Sequence, residues 1–365
     1  MRAISSPTYA ASAAIAVIAM AASMAAAPAA EMTPALKALA AAADKEGEVL
    51  VKWSGGTFGG PKGAKVIERH LNAAFGSKVT VKWTPGGAMP EIGNEIAIAY
   101  RNKLPSPADV YVGFSRNMAV FLKHDMFLKA PWKDYLPDRL TDRVVERDTY
   151  VKIQSATLGF TYNKALAPSA PERLEDLLKP EWKGKISTTA FAAGFEQLAA
   201  KEAWGPAQTV AFARKFATQV AGFMRCNEAE RLSSGEFLAF AMDCSGANMM
   251  RAAAEGAPLV RVLTPDAPLI SYFYLAVPKN ARNPNAGRLF ITYLMTKEGV
   301  KDTYDLTLND LHLFPESGTL KEIQAVEKKY KIKFREADIA WQATENEAGN
   351  AAQREVAKIF RESGK

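Results

Sequence analysis

Apolar and polar residues alternate along residues 48–53 (EVLVKW) and 78–83 (KVTVKW), the period of half-buried strands. Each run ends in a loop rich in glycine, 55–60 after the first and Pro85-Gly86-Gly87 after the second. The period then changes: Val66, Ile67 and Leu71 recur at helical spacing, and so do Ile92, Ile96 and Tyr100. Residues 109–114 (DVYVGF) form a third predicted strand, followed by a predicted helix over 118–128. Residues 150–163 (YVKIQSATLGFTYN) make one long extended stretch, long enough to cross between lobes.

A second cycle starts at Lys185. Strands are predicted at 186–189, 220–225 and 236–244, with helices at 195–203, 227–232 and 247–255. Residues 259–263 and 270–277 are extended and return the chain to its first half; 288–295 is an amphipathic helix. From Leu320 onward the chain is charged and helical, expected to brace the outside. Strands alternating with helices in this way predict an α/β fold of two lobes, each a mostly parallel sheet flanked by helices.

Composition narrows the function. The 365 residues are 48% hydrophobic and 23% charged, which excludes a disordered chain and suggests two domains. Two cysteines and three histidines cannot build a zinc ribbon or an iron–sulfur cluster. The net charge of +7 favours anionic partners. Lys and Arg are dispersed, however, and the cluster Lys328, Lys329, Lys331 and Lys333 alternates with Tyr330, Ile332 and Phe334. No nucleic-acid footprint stands out.

The first residues read as an address. Arg2 precedes an Ala/Ile/Val/Met run to Ala27, and Ala27 and Ala29 flank Pro28 as an A-x-A cleavage site. Residues 1–29 are therefore expected to be a signal peptide, with no cysteine nearby for a lipid anchor. Export to the periplasm would permit a disulfide between Cys226 and Cys244.

No HExxH, GxSxG or GxxxxGK[ST] occurs. Cys226 opens a predicted helix, where a thiol pKa can fall, but no histidine is close in sequence to activate it. An enzyme is the less favoured reading, and no cofactor is expected. Ligands in open α/β sheets sit beyond the carboxyl ends of the strands. The loops there are 54–60, 84–87, 115–117, 188–194, 225–227 and 243–246, several of them short, polar and opening a helix.

The chain resembles the periplasmic solute-binding proteins of ABC importers, in the ferric-iron-binding-protein-like branch. The resemblance is carried by LEDLL at 174–178 followed by EWKGKI at 181–186, by Tyr162-Asn163-Lys164, by Ser234-Gly235-Glu236, and by VPKNARNPNAGRLFITYLMTKEG at 277–299. It implies a type II periplasmic-binding-protein fold. Lobe 1 would comprise 31–155 and 268–318, lobe 2 would comprise 156–267, and 319–365 would brace them. It also implies closure on a small-molecule ligand, delivery to a permease in the inner membrane, and a monomer.

Iron-binding members of that branch use two adjacent tyrosines where this chain has Ser245 and Gly246. Their histidine in the first loop is replaced by the stretch 54–56, and their carboxylate in the third falls near Phe114 or Ser115. No metal site is expected, although a ferric ion or chelate remains the alternative. An anionic or zwitterionic solute suits the residues better. Arg225 falls where the family holds an anion, and Arg116 is a second guanidinium able to grip an oxyanion. Ser54, Gly56, Thr57, Ser115, Thr188, Thr189 and Ser245 could donate around it. Tyr272 and Tyr274, with Phe58 and Phe191, could wall an organic ligand or pack in the core. Asp243 could hold a ligand amine, or pair with Arg225 across neighbouring strands.

Overall fold

Val49, Val51 and Trp53 point inward along Glu48–Trp53 while Glu48, Leu50 and Lys52 stay partly exposed, as the alternation requires. This computed structural model describes residues 32–244, 246–344 and 346–363. Residues 1–29, expected as a signal peptide, lie outside the described residues. In chain order the strands are β1 (Glu48–Trp53), β2 (Thr80–Pro85), β3 (Tyr111–Phe114), β4 (Val145–Glu146), β5 (Tyr150–Thr157), β6 (Gly159–Asn163), β7 (Ile186–Thr188), β8 (Val220–Phe223), β9 (Ala239–Ala241), β10 (Leu259–Leu263), β11 (Leu269–Ala276) and β12 (Arg335–Glu336).

Two sheets result. In the first, β1 pairs with β2 in parallel, and a bridge from Val51 to Val110 joins β1 to the approach of β3. β11 pairs antiparallel with both β3 and β5, and β5 with β4. In the second sheet the order is β10-β6-β9-β7-β8, with β7 parallel to β8 and β9 and with β6 antiparallel to β9 and β10. The two sheets repeat one plan. Three parallel strands are joined in each by an antiparallel strand that has arrived from the other sheet.

The arrivals are β6, which follows β5 after Leu158 alone, and β11, which follows β10 after residues 264–268. The stretch 150–163 is thus two strands rather than one. Leu158 is buried at the break, and Gly159 lies so close to the Val262 carbonyl that a side chain there would collide with it.

Several elements are shorter than their periodicity predicts. The strand expected at 236–244 is only Ala239–Ala241, because Gly235, Met242 and Cys244 adopt positive φ at its margins. The helix expected at 118–128 is Ser115–Phe121, and that expected at 195–203 stops at Leu198. Helices Pro34–Glu46, Gly205–Gln219 and Lys297–Thr307 add to the elements that the sequence pattern predicts.

The C-terminal segment does more than brace the outside. Helix Gly318–Tyr330 leads to β12, which pairs with the start of β11 at Leu269 and Ile270. Helix Glu347–Glu362 then buries Val356, Ile359 and Phe360 in the core of the second sheet. The Phe360 ring meets Phe195 at 5.4 Å and Phe223 at 6.0 Å.

Candidate functional site

Loops at the carboxyl ends of the parallel strands carry the candidate residues. After β1, Gly59 and Gly60 adopt positive φ and a side chain on Gly60 would collide with the backbone of Gly55, so the chain turns tightly into helix Gly60–Phe75. Ser54 and Thr57 face each other here, with their hydroxyl oxygens 3.0 Å apart, and Ser54 and Gly56 are exposed. Phe58 is buried, its ring 5.4 Å from Trp53, and belongs to the core rather than to a ligand wall.

Ser115 follows β3 and is fully buried. Its hydroxyl donates to the Tyr272 carbonyl at 3.1 Å and accepts from the Tyr272 amide at 3.0 Å, so it fastens β3 to β11. Arg116 is a third exposed and donates to Oε1 of Gln353 at 2.5 Å, with Glu196 Oε2 3.9 Å away. Glu196 Oε2 is itself buried without a hydrogen-bond partner.

In the second sheet Thr188 and Thr189 are fully buried. Thr188 donates to the Ala241 carbonyl at 3.2 Å, and Thr189 Oγ1 accepts from the Ala193 amide at 2.8 Å. Their hydroxyls are occupied within the fold. The tip of that loop is open: Phe191 is 54% exposed, while Gln353 Nε2 donates to the Ala192 carbonyl at 3.0 Å.

Arg225, in the loop after β8, is exposed and forms no side-chain ion pair among the described residues. Its backbone amide donates to Glu228 Oε2 at 2.9 Å, and that bond first, then Arg231, holds the Glu228 carboxyl below its ordinary range. Cys226 and Cys244 form a disulfide with Cα atoms 5.7 Å apart, joining the loops after β8 and β9.

Two expectations are corrected. Asp243 pairs with Arg261, not Arg225: Arg261 Nε donates at 2.9 Å, and Thr161 Oγ1 donates at 2.9 Å. With its side chain fully buried, Asp243 is engaged on both sides and offers nothing to a ligand amine. Tyr272 is fully buried, its ring stacked 5.9 Å from His312 and the Lys152 ammonium 4.3 Å above it, so it walls no open cleft. Tyr274 is likewise buried and donates to Glu146. Ser245 lies outside the described residues.

Sequence reasoning missed Arg261, Gln353, Glu196, Asn248 and Arg251. A lone arginine inside an otherwise apolar strand (LVRVL) signals a buried pair for Arg261; nothing local distinguishes the others. Asn248 and Arg251 matter because they cross between the sheets. Asn248 Oδ1 lies 3.3 Å from where a side chain on Gly56 would begin, and Arg251 Nη2 donates to the Leu306 carbonyl at 2.6 Å.

Residues 69–333 match the family of bacterial extracellular solute-binding proteins. The chain belongs to that family. No curated protein sequence matches it significantly. Among solved structures it is similar to the substrate-binding protein of an ABC transporter from Agrobacterium tumefaciens, at TM-score 0.68 and 14% identity, covering 87% of this chain and 94% of the other. It is also similar to the periplasmic binding protein AfuA from Actinobacillus pleuropneumoniae with fructose-6-phosphate bound, at TM-score 0.63 and 16% identity over 86% and 97%. Iron-bound HitA from Pseudomonas aeruginosa follows at TM-score 0.57 and 16% identity over 87% and 99%. At these identities the likeness shows the fold, the type II periplasmic-binding-protein fold.

The loops of this solute-binding protein carry both signs of charge, most of them paired. Arg225 is exposed on them without an ion pair among the described residues, Arg116 has Glu196 beside it, and Asp243 is paired with Arg261 and Glu228 with Arg231. Among the described residues no three His, Cys, Asp or Glu side chains converge as metal ligands, and no helix is long and apolar enough to cross a membrane. His70 pairs with Asp302 at 2.8 Å and His312 with Ser155 at 2.8 Å, both away from these loops.

Proposed function

We propose that this protein is the solute-capturing component of an ABC importer, taking an anionic or zwitterionic small molecule between two lobes and presenting it to an inner-membrane permease. The observation that supports the anion is the guanidinium of Arg225, exposed and without an ion pair among the described residues, while the neighbouring Glu228 is held by Arg231 and by the Arg225 amide. Arg116, Ser54, Thr57 and the backbone around Gly56, on other strand-end loops, complete the proposed set. Ser245 joins this proposed set on sequence grounds.

In this reading the lobes divide at 155/156 and 267/268. The nearest sheet boundaries are the end of β5 at Thr157 and the start of β11 at Leu269. The protein works in the periplasm after loss of residues 1–29, as a monomer without a cofactor, without nucleic acid and without chemistry on its cargo. Closure would then bring donors of the second lobe onto a solute held by the first.

A thermal-shift screen across phosphorylated compounds, carboxylates, amino acids and ferric chelates tests this. Strong stabilisation by one anion class supports it, since binding the native state raises apparent stability by mass action. Arg225→Ala should abolish that shift while leaving the unliganded melting temperature unchanged. A coloured, tightly held complex with free ferric iron would overturn the anion, and turnover of a stabilising compound would overturn the binding-only reading.

A further inference from the structure

Helix Ala247–Ala254 is anchored to one sheet and reaches toward the other. Its base follows the Cys226–Cys244 disulfide, which locks the loop after β9 to the loop after β8. Asn248 Nδ2 donates to the Cys226 carbonyl at 3.1 Å, so the first turn is tied to the same place. On the inner side Met249 is fully buried in a small cluster with Leu232, Phe237 and Phe240. On the outer side Asn248 abuts Gly56, and Arg251 bonds the Leu306 carbonyl near the end of helix Lys297–Thr307. The Leu306 side chain in turn lies against Gly59 and Gly63 of the loop after β1 and the helix that follows it.

We propose that this helix is the jaw by which the second lobe closes on the first, and that the Cys226–Cys244 disulfide sets the closing equilibrium by holding the jaw in place. The crossing contacts named here are polar and few, so their worth depends on how little ordering they require. A jaw already fixed loses little freedom on closing; a jaw freed at its base must be ordered each time, which favours the open form. A dithiol reductant supplies two electrons and two protons: Cys226 and Cys244 become thiols, and the reductant becomes the disulfide. Reduction therefore moves the protein toward its open form, an effect read here with no solute present.

The proposal rests on the reading of this chain as a solute-binding protein that closes. Its test uses no solute, so a wrong solute class leaves it standing. Fluorophores attached through encoded azido residues at Ile98 and Leu166, each about half exposed, report the distance between the lobes by single-molecule energy transfer. The samples are the oxidised protein, the protein reduced by a dithiol, the Cys226→Ser/Cys244→Ser pair, and Arg251→Ala with its disulfide intact. Circular dichroism checks that each is folded.

Arg251→Ala should lower the closed-to-open ratio about tenfold, the scale of one hydrogen bond from a charged donor. Reduction and the double serine variant should lower it several-fold. Should the serine variant fail to fold, the reduced protein decides the disulfide's part and Arg251→Ala decides the helix's part; a reduced protein with the oxidised distribution overturns the former. Distance distributions that are the same in oxidised, reduced and Arg251→Ala protein overturn the proposal.

Discussion

Asp243 at the end of β9 and Arg261 on β10 are joined across β6, with Nε 2.9 Å from Oδ2, and Thr161 of β6 donates to that same oxygen. Arg261 Nη2 also reaches the Thr157 carbonyl at 2.9 Å, the last residue of β5. One guanidinium therefore connects the loop after β9 to the crossover between the sheets. Arg261→Ala strands a fully buried carboxylate and should cost about 3–5 kcal/mol in urea unfolding. Asp243→Asn should cost less, since Thr161 still finds an acceptor.

Gly246 depends on the same arginine. Its φ of +73° is left-handed, and a methyl group there would collide with the Arg261 side chain. Gly246→Ala should lose about 1–2 kcal/mol from backbone strain alone, and more from the displaced guanidinium. Equilibrium unfolding beside Gly256→Ala, also left-handed but with open space for the methyl, separates the two contributions.

Reduction of Cys226–Cys244 should lower stability by about 3 kcal/mol, because the bond closes a loop between residues 18 apart and restricts the unfolded chain. Paired urea titrations of oxidised and reduced protein measure this. A change below the error of the titration would mean that the unfolded chain is already constrained there.

His312 makes stability depend on pH. Burial chiefly drives its pKa down from 6.5 to about 4, although Glu336 nearby pulls upward, while Arg143 and Lys152 push the same way as burial. The unfolded chain then binds a proton between those values that the native state refuses. Stability conferred by the neutral ring is full above pH 6.5 and is lost as pH falls toward 4, by up to about 3 kcal/mol. His312→Gln should flatten the slope of unfolding free energy in that window. Glu336 acts lower: burial would raise it, but Arg143, Tyr272 and Lys152 outweigh that and hold it near 2, so its contribution fades below pH 4.5.

Alternation with a period of two places β1 and β2 to within two residues, because a strand buried on one face must write that face into every second position. The pattern failed where burial is two-sided. β5 is buried along all eight residues and continues into β6, so the break at Leu158 leaves no periodic trace. Helix Pro34–Glu46 is largely alanine, too weakly apolar to show a stripe.

The fold class and the solute-binding family were legible in the sequence, because each rests on local period and on motifs that keep their spacing. The side-chain partners were not. Asp243 could face Arg225, 18 residues earlier, or Arg261, 18 residues later; only the register of β9, β6 and β10 places Arg261 across from it. Tyr272 reads as ligand wall or core alike until β11 takes its place between β5 and β3 with the ring against His312 and Lys152. Sequence sets what each segment can bury. Which charge meets which is decided by the register between distant strands, and only the tertiary structure contains it.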